Sequence, residues 1–431
     1  MMIKQKHFEG LPFLSGLSLL TLTFWFFGLE TIGMPLYALA AVLILAFYKN
    51  GMLVVPFFLN MLFMISQTEW SLDLIPTYLY LLPVFIIAGF IIHLLRFKPR
   101  FDKGKLFYPL ILMFISMLLS MINADFIDSN YLFYLLIGLF YLFTYFFFKA
   151  SISKNNLPFL IKIFAVSGVL ISIQVLIYYI RVDDMILALE TKNLDLGWGI
   201  SNFVATYLIM FIAAMFYFIK IYKLHIIPVM LAAFEIVMLI FTLSRGGIVS
   251  FFFTFILLMI YLFHNCEQKK QMAINIAIAI IVLAVFVIVR IDIFTTIYNR
   301  LADGFFIDNG RFVLWREAWQ KFIQHPLLGA GLFARVEGNY FGFYHNTFMH
   351  TLATLGIIGL ASVIWQIVEV IKMFINRFTI EKTILLIALI GANIHGMVDN
   401  VYYMPQFMII FFIIVAGVEN YNKGLLEGEV R

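Results

Sequence analysis

Long apolar runs, cut apart by short polar turns, make up most of this chain, and few architectures accept that pattern. One of them, Met272–Val289, reads MAINIAIAIIVLAVFVIV, with Asn275 its only polar side chain. A helix of about 20 apolar residues reaches across a hydrocarbon layer about 30 Å thick. In lipid each unpaired backbone N–H or C=O costs several kcal/mol, so such a run closes its hydrogen bonds internally, as a helix. Hydrophobic residues make up 63% of the chain and charged residues 12%. That leaves too little polar surface to cover a water-soluble globule. The expected fold is an all-α, polytopic integral membrane protein.

Fourteen candidate spans can be marked: 10–28, 31–48, 51–67, 75–95, 106–122, 131–148, 157–180, 200–219, 224–243, 246–263, 272–290, 346–371, 383–399 and 404–419. Very short turns join 31–48 to 51–67 and 224–243 to 246–263, so twelve or thirteen spans are alternatives. No polar block is long enough for a second domain, so 1–431 reads as a single membrane domain. Its parts are an N-terminal transmembrane bundle over 1–290, a large loop over 291–345, and C-terminal helices over 346–431. The basic start and apolar run of MMIKQKHFEGLPFLSG show no small-residue cleavage site, so this segment is expected to be a retained first span. The single cysteine, Cys266, excludes a disulfide framework and a cysteine metal site.

Cytoplasmic loops of membrane proteins carry an excess of lysine and arginine. With the N-terminus placed inside and the sides alternating, 20 of the 29 basic residues fall on the inner side. Among them are Lys4, Lys6, the group Arg96, Lys98, Arg100, Lys103 and Lys105, then Lys149, Lys154, Lys223, Lys382, Lys423 and Arg431. The outer side collects Glu30, Glu69, Asp73, Asp125, Asp128, Asp183, Asp184, Glu190 and Asp195 before the large loop. The expectation is therefore fourteen spans with both termini in the cytoplasm. This topology accounts for the net charge of +5, and basic residues scattered between apolar runs do not point to nucleic acid.

Nine basic residues remain outside: Arg181, Lys192, Arg245, Arg290, Arg300, Arg311, Arg316, Lys321 and Arg335. Seven are arginines. Lysine is a hydrated point charge, whereas the planar arginine fork binds phosphate through two hydrogen bonds. The outer face thus hints at an anionic ligand, although loop composition alone gives the same bias.

Within the large loop, Arg311–Gln324 reads as an amphipathic helix with Phe312, Trp315, Trp319, Phe322 and Ile323 on one face. Asp308 or Asn309 is the expected cap and Pro326 the stop. Two tryptophans on such a helix suit the lipid headgroup level. The glycines of Pro326-Leu-Leu-Gly-Ala-Gly331 let the backbone bend and approach a neighbour closely.

Several polar residues carry two readings. Arg245, in Thr242-Leu-Ser-Arg-Gly-Gly247, is either a ligand-facing arginine flanked by permissive glycines or a side chain snorkelling to headgroups. His345-Asn346 opens span 346–371 and is either an interface pair or a site, since an imidazole accepts a hydroxyl proton near neutral pH. His350 lies more than a turn further on and is expected to face elsewhere, while His325 ends its helix before Pro326. His395 and Asp399, four apart near the end of 383–399, share a face of a helix and can orient an imidazole or close a helix pair. Glu235 is a buried mid-span carboxyl with a structural reading. No metal-ligand set, Ser-His-Asp arrangement or nucleotide loop is visible.

The series Ser244-Arg245-Gly246, Gly310-Arg311 with Trp315, His325-Pro-Leu-Leu-Gly-Ala-Gly331, His345-Asn346 and Gly356-Ile-Ile-Gly-Leu360 resembles the O-antigen ligase and polymerase superfamily over about 240–400. The resemblance implies a GT-C-like, all-helical membrane glycosyltransferase. Such an enzyme moves a glycan from undecaprenyl pyrophosphate to a sugar hydroxyl at the outer membrane face. It implies Arg245 and Arg311 as pyrophosphate-binding residues, His345 as general base and Asp399 as a late acidic residue of the site. Asn346, His395, Arg316 and Arg335 are supporting candidates, the last two without a family counterpart. Neither cofactor nor metal is implied. The implied partners are the lipid-linked donor, a glycan or lipid-linked acceptor, the bilayer, and other polysaccharide-assembly proteins. No soluble C-terminal acceptor domain is seen, which favours a polymerase over a ligase attaching finished chains to lipid A core or another acceptor. A lipid-linked sugar flippase is the reading from another class; it calls for charges at mid-bilayer, where only Glu235 lies.

Overall fold

The structure, a computed structural model, describes residues 5–66, 77–127, 129–221, 226–305, 310–337 and 340–428. Lys4, Glu69, Asp73, Asp128, Lys223, Asp308, Asn309 and Arg431, named above, lie outside the described residues. The chain is helical almost throughout. In order come α1 (Gln5–Phe8), α2 (Leu11–Phe26), α3 (Glu30–Phe47), α4 (Val55–Phe63), α5 (Thr77–Phe97) and α6 (Phe107–Ser120). Then follow α7 (Ser129–Ser151), α8 (Leu157–Arg181), α9 (Met185–Thr191), α10 (Ser201–Ile221), α11 (Ile226–Phe241) and α12 (Arg245–Asn265). The last are α13 (Lys269–Val289), α14 (Ile291–Phe305), α15 (Arg311–Gln324), α16 (Thr347–Ile375), α17 (Ile380–Gly396) and α18 (Pro405–Glu427). A two-residue hairpin, β1 (Val336–Glu337) with β2 (Tyr340–Phe341), is antiparallel and precedes α16.

Among the described residues seven helices are long and apolar enough to cross a membrane: α3, α8, α10, α12, α13, α16 and α18. The protein is thus an all-α, multi-pass membrane protein. The segment 51–67 departs from the expected span. A 3-10 turn over Gly51–Val54 runs into α4, and together they rise about 20 Å. That is too short for a helix crossing about 30 Å of hydrocarbon. Sequence signals set many helix starts: prolines stand in the first turns of α2, α4 and α18, and Ser244, Thr379 and Asn346 cap α12, α17 and α16 through their side chains.

The chain divides into two compact units. The first takes 1–99, 157–306 and 383–392. Its centre is α10, buried along nearly its whole length and packed on α8, α11 and α12. Here Glu235 of α11 is fully buried, as its mid-span position predicts, and no partner accepts or donates to its carboxyl among the described residues. Gly168 of α8 makes room for it, since a Cβ there would stand 2.7 Å from Glu235 Oε1.

The second unit takes 100–156, 307–382 and 393–431. In it α16 packs on α6 and α15, and α18 on α7. Near the last turns of α7 and α18 a polar network is buried. Lys149 Nζ stands 3.2 Å from Asp102 and 3.9 Å from Glu419 and donates to Asn420 Oδ1 at 3.0 Å. The Tyr145 hydroxyl donates to Glu419 Oε2 at 2.7 Å, and Lys423 pairs with Asp102. Lys382 Nζ closes the end of α16, donating to the Arg377 carbonyl at 3.0 Å and to Asn422 Oδ1 at 2.8 Å.

The break in α16 locates the rest of this unit. Gly356 leaves helical geometry at φ 63° and ψ −160°. The turn 326–331 fills the gap: Ala330 N donates to the Ala353 carbonyl at 2.8 Å, Gly331 N to Thr354 at 3.1 Å, and Ile357 N to Pro326 at 2.9 Å. The backbone groups that the break frees are satisfied by the turn, as burial requires. Close approach, expected of the glycines in this turn, is what they provide.

Candidate active site

His345 sits between two residues that leave it little freedom. Before it, Tyr344 is fully buried against Ala318 of α15 and Ala353 of α16. After it, Asn346 caps α16, its Oδ1 accepting from Phe348 N at 2.9 Å and Met349 N at 3.0 Å. The turn between them puts His345 at φ 46°, a left-handed conformation that few non-glycine residues adopt and histidine tolerates better than most. Strain of this kind costs about 1–3 kcal/mol and gathers at functional sites. The side chain stays 42% exposed.

The turn after α17 meets it. Asp399 Oδ1 stands 3.3 Å from His345 Nδ1, and the Asp399 side chain is only 7% exposed. Around this pair the two turns are stitched together. Asn346 N donates to Asn400 Oδ1 at 3.1 Å, Asn346 Nδ2 to the Met397 carbonyl at 2.8 Å, and Thr347 Oγ1 to the Asp399 carbonyl at 3.4 Å. Asn400 N donates to Asp399 Oδ1 at 2.8 Å.

Asp399 lies past the end of α17, and its burial works against ionisation. The His345 hydrogen bond, the pull of nearby His395 and the Asn400 N–H outweigh that burial and hold the carboxyl down at about 2. An ionised Asp399 accepts, so the proton of the imidazole sits on Nδ1 and the basic lone pair on Nε2. This tautomer can take a proton from a hydroxyl.

His395 is buried in the last turn of α17. The expectation that His395 and Asp399 share a helix face is corrected, because α17 ends at Gly396 and Asp399 stands in the following turn. Their coupling is electrostatic. His350 is buried among the rings of Phe343 and Tyr344, at centroid distances of 5.3 and 5.8 Å. His325 closes α15.

α15 occupies the stretch expected. Gly310, at φ 79°, is its N-cap residue, whereas Asp308 and Asn309 lie outside the described residues. Arg311 is its first residue and half-buried; Arg316 is exposed. Phe312, Trp319 and Ile323 are exposed along the apolar face. Arg335, a supporting candidate in the sequence, is tied to its surroundings. Its side chain is 10% exposed, its Nε stands 3.6 Å from Glu317 Oε2 on α15, and its Nη1 donates to the Phe343 carbonyl at 3.0 Å. The Tyr344 hydroxyl reaches the same carboxylate at 3.5 Å. Burial, with the Glu317 charge adding, pushes the Tyr344 phenol up, so it remains a donor.

In the first unit, Arg245 opens α12 behind Ser244, whose Oγ accepts from Gly247 N at 3.2 Å. Asn202 Oδ1 gathers two donors at 2.9 Å, Ser244 Oγ and Lys192 Nζ. Sequence alone marked Lys192 only as an outer basic residue, and it did not mark Asn202, Asn400, Glu317 or Tyr344. Asn400, beside Asp399, carried the nearest thing to a signal. Among the described residues no group of three His, Cys, Asp or Glu is placed to hold a metal ion.

No curated protein matches the chain. The family model described as O-antigen ligase matches residues 228–364, which take in Arg245, Arg311 and His345 and stop short of Asp399. Through this stretch, from α11 into α16, the chain is similar to the O-antigen ligase family, and its resemblance to the superfamily of O-antigen ligases and polymerases rests on that match as well as on its motifs.

Proposed function

We infer that the protein is a membrane glycosyltransferase of polymerase or ligase type. It transfers a glycan from undecaprenyl pyrophosphate to a sugar hydroxyl at the outer face of the cytoplasmic membrane. The observation that carries this reading is the His345–Asp399 pair, an imidazole oriented by a buried ionised carboxyl. The family match supports the reaction type.

In this reading Nε2 of His345 takes the proton of the acceptor hydroxyl as its oxygen attacks the anomeric carbon. The bond from that carbon to the pyrophosphate oxygen breaks from the opposite side, inverting the centre. The lipid pyrophosphate leaves with the electron pair, and Arg245 and Arg311 neutralise the charge that develops on it. Two guanidinium groups in that role make a metal ion unnecessary. Both termini lie in the cytoplasm, and α15 rests its Phe312, Trp319 and Ile323 face at the lipid headgroups.

Chain extension by repeat units is the favoured form, ahead of ligation of finished chains. A purified transfer assay tests the chemistry: His345→Ala and Arg311→Ala are expected to abolish transfer while the protein remains in the membrane. Full activity of both variants would remove these residues from the mechanism. Lipid-linked glycans in a deletion strain separate the two forms. Single repeat units accumulate if it polymerises, and long chains if it ligates.

A further inference from the structure

We propose that Glu317 is a positioning residue that fixes helix α15, which carries Arg311, against the turn that carries His345. This rests on the proposed transferase reading and adds to it a device for holding the pyrophosphate arginine and the base at one spacing. The observation is a three-way contact. The carboxylate of Glu317 stands 3.6 Å from Arg335 Nε through Oε2 and accepts from the Tyr344 hydroxyl at 3.5 Å through Oε1. Both partners belong to the segment that leads into His345. Arg335 also donates to the Phe343 carbonyl at 3.0 Å, and Gly342 N donates to the Arg335 carbonyl at 3.1 Å.

The contact is built into its surroundings. Tyr344 is fully buried between α15 and α16, so its hydroxyl can move little. Arg335 lies across Gly342, where an added Cβ would stand 2.6 Å from its Nη1. A planar guanidinium that faces a carboxylate on one side and donates to a carbonyl on the other is fixed in orientation. Arg335 is thereby a structural arm, and Arg311 stands at the start of the helix that it braces. Glu317 lies six residues along α15 from Arg311, about 9 Å of helix rise, on a rigid element. A shift of about 1 Å between groups that act together can cost about a hundredfold in rate.

The test pairs a kinetic readout with a distance. In the purified full chain, Glu317→Ala is expected to lower kcat about 10- to 100-fold with KM for the lipid-linked donor changed less than about threefold. Glu317→Gln keeps one acceptor oxygen for Arg335 and can donate its amide to the Tyr344 oxygen, so it is expected to lose much less of kcat than alanine. In a Cys266→Ala background, spin labels at Val313→Cys and Met397→Cys, both exposed, report the spacing of α15 from the turn after α17. Their distance distribution is expected to broaden with Glu317→Ala and not with Glu317→Gln. An active parent enzyme in which Glu317→Ala leaves both kcat and the distribution unchanged overturns the positioning role. An inactive parent whose distribution still broadens sustains the positioning contact and strikes down the transferase reading instead. Gly342→Ala, which presses on Arg335 without touching Glu317, is expected to reproduce the broadening; a narrow distribution there counts against the contact.

Discussion

Gly329 and Gly356 meet main chain to main chain. A Cβ on Gly329 would stand 2.3 Å from the Thr354 carbonyl carbon, and one on Gly356 would stand 2.5 Å from the Leu327 carbonyl oxygen. Both residues also have positive φ, 73° and 63°. Backbone cannot yield as a flexible side chain does, so neither position accepts a methyl group. Gly329→Ala and Gly356→Ala are each expected to destabilise the protein by at least about 2 kcal/mol. Gly310→Ala, at φ 79° with nothing within 4 Å of an added Cβ among the described residues, is the milder control. Thermal unfolding of the detergent-solubilised protein gives the comparison. Equal melting temperatures for all three would refute the contact.

Removal of the imidazole isolates the base. His345→Ala is expected to lower kcat by about 10²–10⁴, the usual worth of general acid–base catalysis. The fold is expected to lose about 1–2 kcal/mol, because the buried Asp399 carboxylate is left without its imidazole partner. Transfer assay and unfolding on the same preparation check both halves. A large loss of stability would show that His345 holds the turn together instead.

Asp399 gives a prediction with a sign. Its pKa falls from 3.8 to about 2 on folding, so the unfolded chain binds the proton at higher pH. The stabilisation from the ionised group is fully present above its unfolded pKa and is lost as pH falls through about 2. It amounts to about 2 kcal/mol. Asp399→Asn is therefore expected to be less stable than the parent at pH 6, with the gap shrinking as pH drops from about 4 toward 2. Denaturation curves of both proteins over that range measure it. A gap that stays constant with pH would mean that ionisation contributes nothing.

Asn346 serves both turns at once, capping α16 and donating to the Met397 carbonyl. Asn346→Ala is expected to cost about 1 kcal/mol for the cap alone. Asn346→Asp keeps the cap oxygen and loses the donor to Met397, so it separates the two contributions. Hydrogen exchange at Phe348 and Met349 is expected to rise with alanine and not with aspartate.

Lys149 is 3% exposed in its side chain and serves Asp102, Glu419 and Asn420. Lys149→Met leaves the Glu419 carboxylate buried beside it without that cation, at a cost of about 3–5 kcal/mol. Adding Glu419→Gln is expected to recover part of the loss. Additive losses in the double variant would show that the two side chains do not act as a pair.

The helices were legible because lipid permits little else for a run like Met272–Val289. The bounds of α15 were legible because its apolar face repeats at 3.6 residues and Pro326 follows. His345 and Asp399 each drew attention as ionisable residues at the edge of an apolar run. Their contact was not legible, since 54 residues separate them and periodicity speaks only of neighbours on one element. The partner of Arg335 was hidden for a similar reason: Glu317 lies on another element with an ordinary surface residue's spacing. α14 escaped notice because Arg300 and Asp303 made the stretch look like loop. Its buried Ile293 and Ile297, one turn apart, carried the helical signal.

The second unit draws on three stretches of chain, the last of them 393–431. A ribosome delivers residues in order, so His345 enters the membrane before its carboxylate partner has been made. Through that interval the turn waits without the carboxylate that orients its imidazole. The final stretch then acts as a timer, and the His345–Asp399 pair forms only when Asp399 and the helix behind it arrive. A chain stopped short of Asp399 is therefore expected to insert as a membrane protein and to stay inert.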